Sequence, residues 1–244
     1  MLNNLLSARV WIVIPAAGVG SRMQADRPKQ YLPLAGKTVI EHTLACFSEH
    51  PAVAGIVVAI TQGDPYWAEL TATSLGECGN IHTAKGGKER ADSVLNGLDY
   101  LHEQLQVADE AWVLVHDAAR PCLSRADLDK LLASREQCGD AGALLAVPVR
   151  DTMKRAQPDA PHVAHTEDRN GLWHALTPQM AKLGILREAL AAGLQRGVPI
   201  TDEASALEHA GLHPLLVEGD ARNLKITRPA DLALAEFFLA KRLA

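Results

Sequence analysis

Val10–Lys29 reads VWIVIPAAGVGSRMQADRPK, and this stretch decides the fold. Val10–Ile14 is an apolar run typical of a buried β-strand, and Pro15 ends it because proline cannot donate to a sheet ladder. Small residues follow, where a backbone can approach an anion and point its N–H groups at it: Ala16, Ala17, Gly18 and Gly20. The strand, this loop and the basic side chains of Arg22 and Lys29 together predict a phosphate-binding loop.

Two better-known nucleotide motifs do not fit here. The dinucleotide-binding fingerprint needs a third glycine where Met23 stands. A P-loop ending in Gly36-Lys37-Thr38 would need its first glycine at Tyr31. Thr38 fits better as the start of a capping box with Glu41, which opens a helix. For the loop itself, a plain strand-to-helix turn with surface arginine and lysine side chains stays open as the alternative.

The composition describes a chain that can bury one sizeable core. It has 244 residues, 48% of them hydrophobic and 22% charged, and its formal net charge of −5 does not favour binding to nucleic acid or a membrane surface. An anionic substrate would need a local cluster such as Arg22, Arg27 and Lys29. No apolar run approaches the ~20 residues of a membrane span. Because the four cysteines lack metal spacing and no signal peptide is recognisable, we expect a cytoplasmic protein.

Apolar strand-like runs alternate with helical patterns along the chain. Further strands are predicted at Gly55–Ile60, Ile81–Ala84, Trp112–Val115, Ala143–Val147 and His213–Val217. Helices are predicted at Thr38–Ser48, Asp64–Leu75, Arg90–Leu105, Ser124–Gln137, Ala181–Gly193, Asp202–Ala210 and Ala230–Leu239. The alternation predicts an α/β fold with a Rossmann-like, mostly parallel sheet and helices on both faces. We expect the last helix to cover the first strand and to bring Lys225 near the phosphate loop.

Residues 148–179 interrupt this alternation. They are polar and proline-rich near 157–161, which predicts two extended limbs, Val149–Ala156 and His162–Ala175, joined by a turn. Such an arm is marginal alone, and Val163, Leu172 and Trp173 need burial, so we expect it to pack on a second subunit of a homodimer. A loose surface insertion is the alternative. We therefore expect a single domain, 1–244, with residues 148–177 as its dimerisation arm.

Two further loops follow predicted strands, where ligands of such sheets bind. Asp117 stands at the end of one strand, where a carboxylate can hold Mg²⁺ on a nucleotide or accept a hydrogen bond from a ribose hydroxyl. A turn cap is the alternative. Gly86–Arg90 is a glycine turn, with Ser93 behind it, that could read a base or ribose; a simple turn is again the alternative. We interpret His116 as a neighbour of Asp117 rather than a base.

Longer motifs resemble one known family. The segments PAAGVGSRM, PKQYLPL, GGKERADSVLNGL, VHDAARPC, RDTMKRA, TEDRNGLWHALTPQ, TDEASALE and NLKITRP span nearly the whole chain. In kind and order they resemble the 2-C-methyl-D-erythritol 4-phosphate cytidylyltransferases. The resemblance implies a nucleotidyltransferase fold with a dimer arm, CTP as co-substrate, and Mg²⁺ or another divalent cation as cofactor. It also implies transfer of CMP to 2-C-methyl-D-erythritol 4-phosphate in non-mevalonate isoprenoid biosynthesis.

The resemblance also implies roles for individual residues. The triphosphate would be lined by Ala16, Ala17, Gly18 and Gly20. Charge on the α-phosphate would be stabilised by Arg22 and Lys29, the cytosine would contact Gly87 and Ser93, and the ribose and metal would lie at Asp117 and Ala118. The methylerythritol phosphate would be positioned by Lys225 and Arg169, in a pocket completed by Arg120, Thr152, Thr177 and Thr201. The arm and Arg120 are expected to reach the neighbouring subunit's site.

Cytidylyl transfer needs no protein nucleophile, since catalysis is mainly positioning and charge neutralisation. This agrees with a sequence that shows no Ser-His-Asp or Cys-His pattern. Two other hypotheses stay open. One is a cytidylyltransferase for another polyol phosphate, such as ribitol 5-phosphate. The other is a non-catalytic nucleotide-binding module, which would not need both Arg22 and Lys29.

Overall fold

The structure is a computed structural model that describes residues 9–18, 23, 26–75 and 79–242. Gly20 and Arg22, both predicted site residues, lie outside the described residues. Within the described ranges, none of the helices combines the length and apolar character needed to span a bilayer.

The described residues form the predicted series of strands and helices. The strands are β1 Val10–Pro15, β2 Pro33–Leu34, β3 Lys37–Thr38, β4 Val53–Ile60, β5 Ile81–Lys85, β6 Trp112–Val115, β7 Ala143–Pro148, β8 Lys154–Gln157, β9 Ala160–Thr166, β10 Trp173–Lys182 and β11 Leu215–Glu218. The α-helices are α1 Val39–Ser48, α2 Pro65–Ala72, α3 Arg90–Asp99, α4 Arg125–Ala133, α5 Arg135–Cys138, α6 Leu183–Gln195, α7 Glu203–His209 and α8 Pro229–Arg242. The predicted helix Ser124–Gln137 is thus split in two at Ser134.

Capping residues in the sequence fix where helices begin. The predicted capping box is confirmed at α1, where the Thr38 N–H donates to Glu41 Oε2 at 2.7 Å and the Glu41 N–H donates to Thr38 Oγ1. At α2, Asp64 Oδ1 accepts the N–H groups of Tyr66 and Trp67, satisfying donors that a helix start leaves free.

Seven strands form a central sheet in the order β11-β7-β10-β6-β1-β4-β5. Every neighbouring pair is parallel except those that involve β10, which runs antiparallel to β6 and β7. The prediction of a mostly parallel sheet is therefore confirmed. From β1 the chain moves to β4 and β5 on one side and then returns to β6 on the other. The cleft between the carboxyl ends of β1 and β6 is thus the topological switch point, where such sheets bind ligands.

Strand β1 is buried on both faces of the sheet. Ile12 and Ile14 pack with Phe47 of α1 on one face, and Val13 packs with Leu98 of α3 on the other. A strand covered on both sides reads as a continuous apolar run rather than an alternating one. Gly97 allows the close approach of α3, since a Cβ there would lie 2.6 Å from Cγ1 of Val13.

The final helix lies elsewhere than predicted. Helix α8 does not cover β1, whose faces are already occupied by α1 and α3. Its residues Ala235 and Leu239 pack instead in a separate apolar cluster with Leu34 and Val39. Ile226, just before the helix, is fully buried in the same cluster and fixes the neighbouring Lys225 beside the switch point.

Residues 149–172 leave the sheet as the predicted arm. Strands β8 and β9 pair antiparallel in a two-stranded sheet of their own. The predicted second limb was too long, because Trp173–Ala175 already belong to β10 and pair with β7 in the central sheet. Val163 and Leu172 are 59% and 40% exposed in the single chain, so their predicted burial is not supplied by this chain itself.

Candidate active site

A cavity of about 300 Å³ opens at the switch point. It brings together segments that the sequence placed after separate strands, and its lining comprises Pro15–Gly18, Lys29, Gln30, Gly87–Arg90, Ser93, Asp117–Ala119 and Lys225. Its charged side chains are four cations, Lys29, Lys88, Arg90 and Lys225, and two carboxylates, Glu89 and Asp117. The excess of positive charge suits an anionic ligand.

Side chains from elsewhere in the chain shape the loop after β1. Gln30 Nε2 donates to the carbonyl oxygens of Ala16 at 2.6 Å and Gly18 at 3.1 Å, and Thr61 Oγ1 donates to that of Ala17 at 3.1 Å. In a trans peptide the C=O and the following N–H point in opposite directions. The N–H group of Ala17 therefore points away from Gln30, and that of Gly18 points away from Thr61. Sequence reasoning missed Gln30, since one polar residue in a polar stretch gives no signal.

Three cations surround the buried carboxylate of Asp117. Arg90 Nε lies 3.0 Å from Oδ1, while Arg120 Nε at 3.2 Å and Lys225 Nζ at 3.0 Å approach Oδ2. Burial alone would raise the pKa of Asp117, but the positive charges of Arg90, Lys225 and Arg120 lower it well below its usual range. A carboxylate offers about four acceptor positions, so about one remains, on Oδ1, for a ligand.

His116 and Thr177 hold this loop from behind. Thr177 Oγ1 accepts the N–H of Asp117 at 3.1 Å and lies 3.0 Å from Nδ1 of His116, whose Nε2 lies 3.0 Å from the carbonyl oxygen of Arg120. Because a carbonyl can only accept, we assign the proton to Nε2, and Thr177 donates to Nδ1. Complete burial lowers the pKa of His116 to about 4. His116 is thus a neutral neighbour of Asp117, as predicted, and Thr177 lies behind the cavity wall.

We expect this histidine to make stability depend on pH. In the unfolded chain the pKa of this histidine has its ordinary value of 6.5, whereas folded His116 resists protonation until about pH 4. Its contribution is therefore complete above the unfolded pKa and is lost as pH falls, by about 3 kcal/mol in all. Urea unfolding between about pH 7 and pH 4 measures this, and His116→Gln should show a smaller decline. An equal decline in both proteins would contradict the assignment.

The glycine turn after β5 packs against the loop after β1. A Cβ at Gly86 would lie 2.3 Å from Cβ of Ala17, and one at Gly87 would lie 2.2 Å from Cβ of Asp92, so neither position tolerates a side chain without movement. Ser93 Oγ accepts the Gly87 N–H at 3.0 Å and donates to the Glu89 carbonyl oxygen at 3.1 Å. The turn is therefore held in one shape at the edge of the cavity.

The segment that carries Lys225 is tied across the switch point. Lys29 Nζ donates to the carbonyl oxygen of Ile226 at 2.9 Å, and the Ile226 N–H donates to that of Ala119 at 2.8 Å. Arg120 Nη1 donates to the carbonyl oxygen of Asn223 at 2.6 Å. Arg120 is thus buried inside its own chain rather than directed towards a neighbouring subunit. Asp117 and the Asn223 carbonyl oxygen supply the partners that a buried guanidinium needs.

Other predicted residues stay outside the cavity. Thr152 and Thr201 are exposed, and Arg169 donates through Nη1 to the carbonyl oxygen of Arg150 at the base of the arm; none of the three lines the cavity as the described residues form it. Arg27, predicted to join a basic cluster, pairs instead with the neighbouring Asp26 at 3.3 Å. Among the described residues, the three side chains assigned to the acceptor by resemblance thus lie apart from the cavity.

A second ion pair, which sequence reasoning missed, extends from Arg90. Its Nη1 lies 2.7 Å from Oε1 of Glu203 and its Nη2 lies 3.1 Å from Oε2, a bidentate arrangement. Glu203 opens α7, more than a hundred residues further along the chain. Sequence spacing carries no signal for a contact of that range.

A divalent cation would find few protein ligands here. Among the described residues, no group of three or more histidine, cysteine, aspartate or glutamate side chains could hold a metal. Mg²⁺ usually keeps waters and binds through one or two carboxylates together with substrate phosphates. One acceptor position on Asp117 beside a triphosphate meets that requirement, so the residues present fit a nucleotide-bound Mg²⁺.

Three features define a nucleotidyltransferase-type α/β protein: a switch-point cavity rich in cations, the small-residue loop Ala16–Gly18 after β1, and the Asp117 carboxylate surrounded by cations. The model of one family in this class, IspD, 2-C-methyl-D-erythritol 4-phosphate cytidylyltransferase, matches residues 10–241. The chain belongs to this family, which confirms the resemblance seen in the sequence.

Individual relatives agree over nearly their whole lengths. The 2-C-methyl-D-erythritol 4-phosphate cytidylyltransferase of Alteromonas mediterranea is 53% identical over 238 residues, covering 98% of this chain and 96% of the relative. That of Pseudomonas putida is 58% identical over 223 residues, covering 91% and 92%. The crystal structure of the Francisella tularensis enzyme is 34% identical, covers 95% of this chain and 100% of its own, and superposes with a TM-score of 0.80.

Proposed function

We propose that the protein transfers CMP from CTP to 2-C-methyl-D-erythritol 4-phosphate, giving 4-CDP-2-C-methyl-D-erythritol and pyrophosphate in non-mevalonate isoprenoid biosynthesis. One observation carries this proposal: in a chain of this family, Lys29, Lys225 and Asp117 meet the small-residue loop in one cavity at the switch point. A cytidylyltransferase for another polyol phosphate would share this cavity, so the acceptor is what the experiment must decide.

The proposed reaction is an in-line displacement at the α-phosphorus of CTP. An oxygen of the acceptor phosphate attacks phosphorus, and the bond to the bridging oxygen breaks, so that its electron pair leaves with pyrophosphate. Negative charge accumulates on the α-phosphate oxygens, and Lys29 is positioned to stabilise it. Arg22 has the same role by resemblance. The N–H groups of Ala17 and Gly18 bind the triphosphate in this proposal, and Gly20 has the same role by resemblance.

The other half of the cavity suits the nucleoside. Gly87 and Ser93 form the rigid turn against which the cytosine is proposed to lie, and Ala118 continues the wall. The remaining acceptor position of Asp117 is available to a ribose hydroxyl or to a divalent cation on the phosphates. Bound Mg²⁺ would neutralise charge on the triphosphate. Asp117, kept ionised by its three cations, would supply its protein ligand.

We further propose that the acceptor site is completed by a second subunit. Lys225 lies in the cavity, but Arg169, Thr152 and Thr201 do not, although all four are assigned to the acceptor by resemblance. A homodimer through the 148–177 arm of the single 1–244 domain would bury Val163 and Leu172 and bring a partner's arm to the site. We place the enzyme in the cytoplasm, with no nucleic-acid or membrane partner.

Subunit mixing tests that arrangement. Arg169→Ala and Lys29→Ala are each expected to inactivate the enzyme, because each removes a charge from every site. If Arg169 acts on the neighbouring subunit's site, mixed dimers contain one site with both residues intact, and activity returns in part. The measurement is turnover after subunit exchange has been confirmed by native mass spectrometry. No recovery in confirmed mixed dimers would contradict action across the interface.

Pyrophosphate release tests the reaction itself. Purified protein is incubated with CTP and Mg²⁺, with either 2-C-methyl-D-erythritol 4-phosphate or ribitol 5-phosphate as acceptor. We expect release that requires CTP and is fast with the methylerythritol substrate alone. Fast release with ribitol 5-phosphate would instead identify the protein as a cytidylyltransferase for that polyol phosphate. A folded protein that binds CTP but releases nothing with either acceptor would favour a binding module.

A further inference from the structure

We propose that Glu203 is a positioning residue that acts through Arg90 to keep Asp117 oriented for the nucleotide. The proposal rests on the function proposed above and adds a residue outside the cavity to it. Glu203 does not line the cavity, whereas Arg90 and Asp117 both do. Its effect on a bound nucleotide must therefore pass through Arg90.

The contacts form one chain of charges from α7 to the cavity. Glu203, only 1% exposed, binds both terminal nitrogens of Arg90, which leaves Nε as the nitrogen that faces Asp117 Oδ1. Burial alone would lower the pKa of Arg90, but Glu203 and Asp117 raise it, so the guanidinium stays charged. Arg90 begins α3, Asp117 follows β6 and Glu203 begins α7. The ion pairs therefore connect the ends of three elements.

Glu203 is itself held in a fixed place. Gln179 of β10 accepts the Ala204 N–H through Oε1 at 2.7 Å and donates through Nε2 to Asp202 Oδ2 at 2.9 Å. Gln179 pairs with Val115, the last residue of β6, in the central sheet. The start of α7 is therefore anchored to the strand beside the one that carries Asp117. A carboxylate held on both sides in this way can orient a flexible arginine.

The geometry gives Glu203 a specific task. Without it, the two terminal nitrogens of Arg90 would be free to turn onto Asp117 and form a bidentate pair, the arrangement that arginine and carboxylate favour. A second Arg90 bond would be the fourth on a carboxylate with about four acceptor positions, so it would use the position that the proposed function gives to the ribose or metal. By binding those nitrogens, Glu203 keeps this position open.

Calorimetric titration of the full-length protein with CTP in Mg²⁺ tests the proposal, together with steady-state kinetics and a thermal melt. Glu203→Gln keeps the shape of the side chain and removes its charge. We expect CTP to bind about 10- to 100-fold more weakly, the range typical when a group that orients a ligand is removed. KM for CTP should rise while kcat changes little, a division that a loss of stability alone would not produce. Glu208→Gln, exposed on the same helix, should bind CTP normally.

A second variant keeps the test decisive if Glu203→Gln folds poorly. Arg90→Gln with Glu203→Gln removes both charges, and it should bind CTP as weakly as Arg90→Gln alone, because Glu203 acts only through Arg90. Unchanged CTP affinity in folded Glu203→Gln, or losses that add in the double variant, would overturn this proposal alone. Wild-type protein that binds no CTP would overturn the proposed function as well.

Discussion

Replacing Lys29 with alanine is expected to lower kcat by a factor of about 10²–10³, the usual cost of losing one preorganised group that stabilises transition-state charge. Lys29 lines the cavity beside the small-residue loop, and its Nζ is held at 2.9 Å by the carbonyl oxygen of Ile226. The ammonium group is thus positioned before any nucleotide binds. The ammonium group can therefore stabilise the charge that develops on the α-phosphate without a rearrangement of the lysine side chain.

Steady-state kinetics with CTP and the methylerythritol substrate measure this effect. Lys37→Ala removes the same side chain from an exposed position on β3 and should leave kcat unchanged. A fall in kcat and kcat/KM together indicates an interaction made in the transition state, whereas a rise in KM alone indicates equal binding of ground and transition states. Full turnover by Lys29→Ala would show that the lysine does not take part in catalysis, and it would favour the hypothesis of a non-catalytic nucleotide-binding module.

The fold was predictable because its signals are local. A strand buried on both faces, such as β1, is a short apolar run, and helix starts such as Thr38 and Asp64 carry their caps beside them. The alternation of strands and helices predicts a mostly parallel sheet, and in such a sheet ligands bind at the carboxyl ends of the strands. The positions of Lys29 and Asp117 around one cavity follow from that edge, whereas Lys225 reaches the cavity although the helix expected to bring it there lies elsewhere.

Contacts between distant segments were not predictable in the same way. Gln30, which holds the carbonyl groups of the small-residue loop, and Glu203, which holds Arg90, have partners that only the folded chain brings near. The location of α8 was not predictable either, because α1 and α3 already cover both faces of β1 and exclude the helix from them. Strand β10 runs antiparallel between two strands parallel to β1, and no local pattern in Trp173–Lys182 distinguishes that from one limb of an arm.

Asp117→Asn is expected to lower the free energy of unfolding by about 3–5 kcal/mol, because breaking a buried ion pair leaves an uncompensated charge. The Arg120 side chain is 9% exposed and has Asp117 as its counter-charge, whereas Arg90 keeps Glu203 and Lys225 is more exposed. The asparagine amide has one acceptor oxygen where three donors converge, and its NH₂ group would face a cation. The volume is unchanged, so the loss reports charge and hydrogen bonding rather than a cavity.

Urea unfolding with a matched pair of controls separates these causes. Asp220→Asn removes the same charge from the exposed pair with Arg222 and is expected to cost less than about 1 kcal/mol. Asp117→Asn combined with Arg120→Gln removes the stranded charge too, so its loss should be smaller than the sum of the two single losses. Additive losses would mean that Asp117 and Arg120 do not stabilise each other. Since the pKa of Asp117 is held low, the wild-type advantage should persist to mildly acidic pH and be lost only below the unfolded value near 3.8.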